Sequence, residues 1–160
     1  MNIRVGFGFD VHQLKEGLDF WLGGIIVPHT KGGLRHSDAD VLVHAVMDAV
    51  LGALALGDIG QHFPDTDAEF KDANSLKLLS HVNRLAEEKG FVCTNLDSII
   101  MAEKPKMAPY LMKMRANLAT ALKIKTDQVS IKATTTERLG LIGREEGIAA
   151  QAIVLLNSIT

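Results

Sequence analysis

The stretch Gly6-Phe7-Gly8-Phe9-Asp10-Val11-His12-Gln13-Leu14, GFGFDVHQL, follows directly on Val5. Val5, Phe7 and Phe9 share one parity, and Asp10 and His12 share the other. Side chains two residues apart in a strand point the same way, so the alternation predicts a strand over 2–12 with Val5, Phe7 and Phe9 on a buried face. It also sets a carboxylate and an imidazole side by side on the opposite face. Such a pair is either solvated decoration at a strand end or half of a site.

Beyond that strand, residues 18–27 read as a short hairpin turning at Gly23-Gly24. Ser37 is the expected N-cap of a first helix, with Asp38 and Asp40 in its first turn, where carboxylates suit the positive end of the dipole. VLVHAVMDAVLGALALG is apolar at helical spacing and Gly57 ends it. DIGQHFPDTD, residues 58–67, is expected to be loop or a single turn. Asn74-Ser75 opens a second helix that Gly90 closes, with Leu76, Leu79, Val82 and Leu85 as one stripe. FVCTNLDSIIMAE reads as a long strand that Pro105 and Pro109 interrupt, and a third helix is expected over 107–123. QVSIKATT alternates as a strand, TTERLGLIGREE is a Gly-punctuated loop, and GIAAQAIVLLN is the last strand. These elements predict an α+β fold, a single mixed β-sheet with three main helices packed on one face. Little chain is left to cover the other face, so oligomerisation is expected.

The 160 residues fit one domain spanning 1–160, and 47% hydrophobic content is enough for a core. A net charge of −2 with no basic run argues against a nucleic-acid partner. No apolar run reaches the ~18 residues of a membrane span, and the N-terminus has neither signal-peptide nor transit-peptide pattern. A single cysteine, Cys93, excludes an intrachain disulfide, reads as a small core hydrophobe and fits a reducing cytoplasm.

The chemistry-bearing residues fall in five groups. Asp10 and His12 need a third ligand to make a metal site, and His36, His44, His62 and the aspartates at 38, 40, 58, 65 and 67 are candidates. His44 stands inside an apolar helix with Asp40 one turn before it and Asp48 one turn after. Either carboxylate is placed to accept its second N–H. A satisfied core histidine has the same pattern. His36 and Ser37 precede a helix start, which suits an anion or is ordinary capping. Asp58 follows a helix end, where a negative charge calls for compensation. Thr134, Thr135 and Thr136 before Glu137 make a hydroxyl-rich rim beside a carboxylate suited to Mg2+, or simply end a strand. The stiff MAEKPKM loop suits reading a base edge, or is plain surface. P-loop, G-x-S-x-G and G-x-G-x-x-G patterns are missing from the sequence.

Taken together, DVH, HSDAD with a following helical His, GDIG-x-x-FPDTD, KPKM and KATTTE-x-LG-x-x-GR-x-EGI resemble the 2-C-methyl-D-erythritol 2,4-cyclodiphosphate synthase family over essentially the whole chain. The resemblance implies a homotrimer with active sites between subunits and a cytidine diphosphate substrate. In that family a 2-phosphate attacks the β-phosphate, CMP leaves and a cyclic diphosphate forms in the non-mevalonate isoprenoid pathway. It implies zinc on Asp10, His12 and His44, and Mg2+ or Mn2+ on Glu137 between the phosphates. Catalytic roles would fall to His36, Thr135 and Asp58. Substrate contacts would come from Asp10, Val11, His12, His36, Ser37, Asp58, Ile59 and Gly60, and from Phe63, Pro64, Asp65, Thr66 and Asp67. Ala102, Pro105, Lys106, Met107 and Ala108 of a neighbouring subunit would form the cytosine pocket, with Thr134, Thr135, Thr136 and Glu137 at the phosphates. Leu141 stands where family members often carry Phe, and Arg144 is kept, in a region lining the trimer channel. On the residues alone, a zinc hydrolase and a non-catalytic nucleotide-binding trimer remain open alternatives.

Overall fold

Residues 2–34, 38–64 and 73–159 are described by the computed structural model. Strand β1 runs Ile3–Glu16, longer than expected, and its parity is read the other way round. Gly6, Gly8 and Leu14 are the buried residues, whereas Val5, Phe7 and Phe9 are 64%, 58% and 48% exposed. The expectation of a buried Val5/Phe7/Phe9 face is therefore corrected for the single chain. The physical reason is helix α1 (Val41–Ala53), whose backbone rests directly on the strand. A Cβ on Gly6 would sit 1.8 Å from the Ala49 carbonyl oxygen, and one on Gly8 1.9 Å from that of Ala45. Only glycine admits such an approach.

After β1 come β2 (Trp21–Leu22) and β3 (Ile25–Ile26), a separate two-stranded hairpin that turns at Gly23-Gly24 as expected. Strand β4 (Lys31–Gly33) and α1 follow, then the single turn α2 (Ile59–His62) and α3 (Ser75–Glu88). The chain continues through β5 (Phe91–Met101), α4 (Leu111–Leu122), a 3-10 turn at Thr126–Gln128, β6 (Val129–Thr134), the short α5 (Gly140–Gly143) and β7 (Gly147–Ser158). The main sheet has five strands in the order β4-β1-β7-β5-β6. Only β5–β6 is parallel, so the sheet is mixed, as expected. Two details differ from expectation: a second small sheet is present, and the TTERLGLIGREE loop holds the single-turn helix α5, while α2 is the single turn expected within 58–67.

Register shows how the faces divide. Gly8, Ala152, Ser98 and Ile131 lie in one row across β1, β7, β5 and β6, and Asp10, Ala150, Ile100 and Ala133 in another. These rows face the helices, and small residues at 150 and 152 let α1 pack close. The opposite face carries Phe7, Ile153 and Asp97 in one row, with Lys132 paired to Asp97 at 2.7 Å. α1 is buried on nearly every side, between the sheet and α3. Cys93 lies in this core, and burial pushes its thiol up to about 11, which fits its reading as a core hydrophobe.

Candidate metal centre

The expected N-cap of α1 is displaced. The helix starts at Val41, and Asp40 is its cap, accepting the Val43 N–H at 3.1 Å. Asp38 and Asp40 thus precede the first turn rather than lie in it. Asp40 is fully buried and also accepts the Gly23 and Gly24 N–H groups at 2.9 and 2.7 Å, which pins the β2–β3 turn to the helix start. Burial raises its carboxyl pKa, and the backbone donors oppose that shift.

One turn further on, His44 meets the strand. Its Nδ1 lies 3.0 Å from Asp10 Oδ2 and 3.0 Å from His12 Nε2, and His12 Nε2 lies 2.9 Å from Asp10 Oδ2. Asp10 Oδ1 is engaged by the Val11 N–H at 2.9 Å, which turns Oδ2 toward the imidazoles. The three ligand atoms form a triangle, the sole such group found among the described residues. A tetrahedral zinc with bonds of 2.0–2.1 Å wants ligand atoms roughly 3.3 Å apart, so the donor set fits a small divalent cation with little adjustment. Burial acts to raise the Asp10 carboxyl, but hydrogen bonds from His12 and His44 outweigh it and hold Asp10 well below the usual carboxylate range. Burial acts to lower His44, and Asp10 outweighs that too, leaving the imidazole above its ordinary value.

The remaining expected residues divide into three sets. His36, Ser37, Asp65, Thr66 and Asp67 lie outside the described residues. Near the triad, Asp58 is exposed and caps α2, accepting the Gln61 N–H at 3.0 Å and its Nε2–H at 3.2 Å. α1 ends at Ala53, short of the expected Gly57, so Asp58 is not at its C-terminus and its charge lies instead at the favourable start of α2. Ile59 and Phe63 pack on the core, and His62 bonds the Leu56 carbonyl, so His62 is no ligand here. The third set stands apart. Val11, Ala149, Met101 and Thr134 share one row, so Thr134 lies three strand spacings, roughly 14 Å, from the triad's strand. The Ala102 N–H bonds the Thr134 carbonyl at 3.0 Å, so the 102–108 loop and the Thr134–Glu137 rim form one cluster at that edge. Met107 is buried and Lys106 exposed. Glu137 and Arg138 have φ of 53° and 64°, and Thr135 Oγ1 accepts the Glu137 N–H at 3.3 Å. Leu141 is 45% exposed, and Arg144 forks onto both Glu146 oxygens at 2.9 and 3.0 Å.

A sequence model of the YgbB family matches residues 3–157. The chain belongs to the YgbB family. It is 60% identical over 156 residues to the 2-C-methyl-D-erythritol 2,4-cyclodiphosphate synthase of Bacillus licheniformis, covering 98% of this chain and 99% of that one. Among solved structures, the bifunctional IspDF of Campylobacter jejuni superposes with TM-score 0.94 at 44% identity. That match covers 98% of this chain, which spans 42% of the bifunctional protein. IspF of Plasmodium falciparum, solved as a CDP complex, superposes with TM-score 0.88 at 33% identity, covering 99% and 98%.

In this YgbB chain the outer partner of His44 is neither Asp40 nor Asp48, the two that helical spacing offered. Asp48 instead accepts the Ile59 N–H at 2.8 Å, tying α2 to α1; burial raises its carboxyl pKa. His44 Nε2 lies 3.0 Å from Ser75 Oγ, and Ser75 bonds Asp38 through both its hydroxyl and its N–H. In the sequence Ser75 reads only as a helix start, and Asp38 as a helix-terminal charge or one of several candidate third ligands. Their meeting depends on how α3 docks.

Proposed function

We infer that this chain converts 4-diphosphocytidyl-2-C-methyl-D-erythritol 2-phosphate to 2-C-methyl-D-erythritol 2,4-cyclodiphosphate with release of CMP, as a lyase of non-mevalonate isoprenoid precursor synthesis. The observation that carries this reading is family membership over residues 3–157 together with the Asp10/His12/His44 triangle at the residues the family pattern names. Asp10, His12 and His44 would hold zinc, and Glu137 would hold Mg2+ or Mn2+ with the substrate phosphates. Cations held by these residues would supply charge neutralisation between the phosphates and polarisation of the phosphorus. The 2-phosphate oxygen forms a bond to the β-phosphorus as the bond from that phosphorus to the CMP oxygen breaks. The nucleophile is already anionic, so no strong base is required. Tethering within one molecule lowers the barrier by ~7–11 kcal/mol when alignment is good.

The chain's own groups supply that alignment. His36, Ser37 and Thr135 would orient phosphates, Asp58 would take the erythritol hydroxyls, and the backbone of the 102–108 loop would read cytosine. A homotrimer brings these together, with the loop arriving from a neighbouring subunit. Two features support that assembly: the ~14 Å between the triad's strand and the Thr134 edge within one chain, and the exposed Val5, Phe7, Phe9 and Ile153 on the helix-free face. The same reading treats 1–160 as one domain working in the cytoplasm, where a free Cys93 thiol is stable. No helix among the described residues is long and apolar enough to cross a membrane.

Incubation with the cytidine diphosphate substrate, followed by phosphorus NMR, tests the reaction. The expected result is a cyclic diphosphate and CMP in equal amounts. Turnover of generic phosphodiesters without cyclisation would favour a zinc hydrolase instead. His44→Ala is expected to lose both bound zinc and CMP release, and full zinc occupancy in that variant would overturn the ligand assignment.

A further inference from the structure

The hydrogen bonding of His44 continues on the side away from the triad. Its Nε2 lies 3.0 Å from Ser75 Oγ, and the Ser75 hydroxyl donates to Asp38 Oδ1. Asp38 Oδ2 accepts the Ser75 N–H at 2.8 Å, and its Oδ1 also accepts the Asp40 N–H at 3.2 Å. Asp38, His44 and Ser75 are 8%, 7% and 0% exposed, so water scarcely competes for these contacts.

Donor counting then sets the protons. A carboxylate only accepts, and a serine hydroxyl has one proton. With that proton given to Asp38, Ser75 Oγ has only lone pairs left for His44, so the imidazole must donate from Nε2. The neutral ring is thereby held in the tautomer whose lone pair is on Nδ1. Nδ1 is the atom that meets Asp10 and His12 in the triangle. The carboxylate, hydroxyl and imidazole form a line that ends where a cation would sit.

We propose that Asp38 and Ser75 are positioning residues that select the tautomer and ring orientation of His44 for metal binding. The inference rests on reading Asp10, His12 and His44 as a metal centre. Ser75 is the first residue of α3 and Asp38 lies just ahead of α1, so two helix starts meet at the outer edge of this ligand. The pair also has a purely architectural use, since Asp38 satisfies the Ser75 N–H. The test has to separate the two.

Zinc affinity of the metal-stripped full chain is measured by chelator competition, beside thermal melting of the metal-free form, for the unaltered protein, Ser75→Ala and His44→Ala. Loss of an outer-shell partner is expected to weaken zinc binding about 10–100-fold in Ser75→Ala. A Ser75→Ala variant that melts lower yet binds zinc with unchanged affinity overturns the proposal and leaves the pair architectural. Failure of the unaltered chain to bind zinc would instead sink the metal centre. Zinc bound normally by the unaltered chain and by Ser75→Ala, but lost in His44→Ala, sinks the relay alone. Should Ser75→Ala not fold, proton and nitrogen NMR of the unaltered zinc-loaded protein decides. The His44 Nε2 proton is expected to be downfield and slow to exchange, and exchange at the solvent rate overturns the relay.

Discussion

His44 shows how a buried imidazole is kept useful. Burial opposes its charged form, but the Asp10 carboxylate at 3.0 Å outweighs that, and the ring holds its proton above the ordinary value of 6.5. A metal ion must displace that proton, so affinity rises with pH and levels off only above the raised pKa. Chelator competition from about pH 5.5 to 8.5 should show zinc binding weakening as pH falls, with the onset above 6.5. A flat profile would contradict the role of Nδ1. Glu137 offers a second check. Its φ of 53° is unfavourable for any side chain and costs roughly 1–2 kcal/mol. Glu137→Gly should leave urea-unfolding stability unchanged or higher by up to about 1 kcal/mol, while CMP release falls roughly 100-fold. Asp10 and His12 could be read as a pair from spacing, and His44 as one of several candidates to join them, because i,i+2 on a strand and one histidine in an apolar helix are local patterns. Ser75 and Asp38 could not, because they stand 31 and 6 residues from His44 and only docking joins them.

At the next level, α1 and β1 work as one unit because two glycines remove everything between their backbones. The triad spans that contact, with two ligands on the strand and one on the helix. Gly8→Ala would drive a Cβ to 1.9 Å from the Ala45 carbonyl oxygen, one residue from His44. The helix must lift, so the variant is expected to lose at least about 1–3 kcal/mol in urea unfolding and to bind zinc more weakly. Normal stability with normal zinc affinity would mean that the close approach is dispensable. Period-two alternation correctly marked β1 as a strand, but it assigned the inner face to Phe7 and Phe9. Apolar patterning reports which side chains avoid water, and it is blind to a neighbour that packs on bare backbone. The same limit hid the α1 cap: Ser37 and Asp40 both have suitable side chains, and the backbone path chose Asp40.

For the molecule as a whole, the helix-free face is where the proposed trimer would close. Phe7 is 58% exposed and Ile153, paired with it, 50%. Phe7→Asp should leave the isolated fold intact, because that side chain packs on no helix. On the proposed trimer, it is expected to shift light-scattering mass from three chains toward one of 17.3 kDa and to abolish CMP release, since the 102–108 loop would no longer reach a triad. An unchanged mass would place the subunit contact elsewhere. Within the chain, strand and helix segments, the mixed α+β class and the candidacy of Asp10, His12 and His44 as ligands were already written in local order, because periodicity, caps and turn residues act over a few neighbours. The direction each face points, the partner behind His44 and the separation of the triad from the Thr134 rim arise from contacts between residues distant in the chain. Those are settled when α1 seats on glycine and α3 docks beside it, and no short-range pattern encodes them.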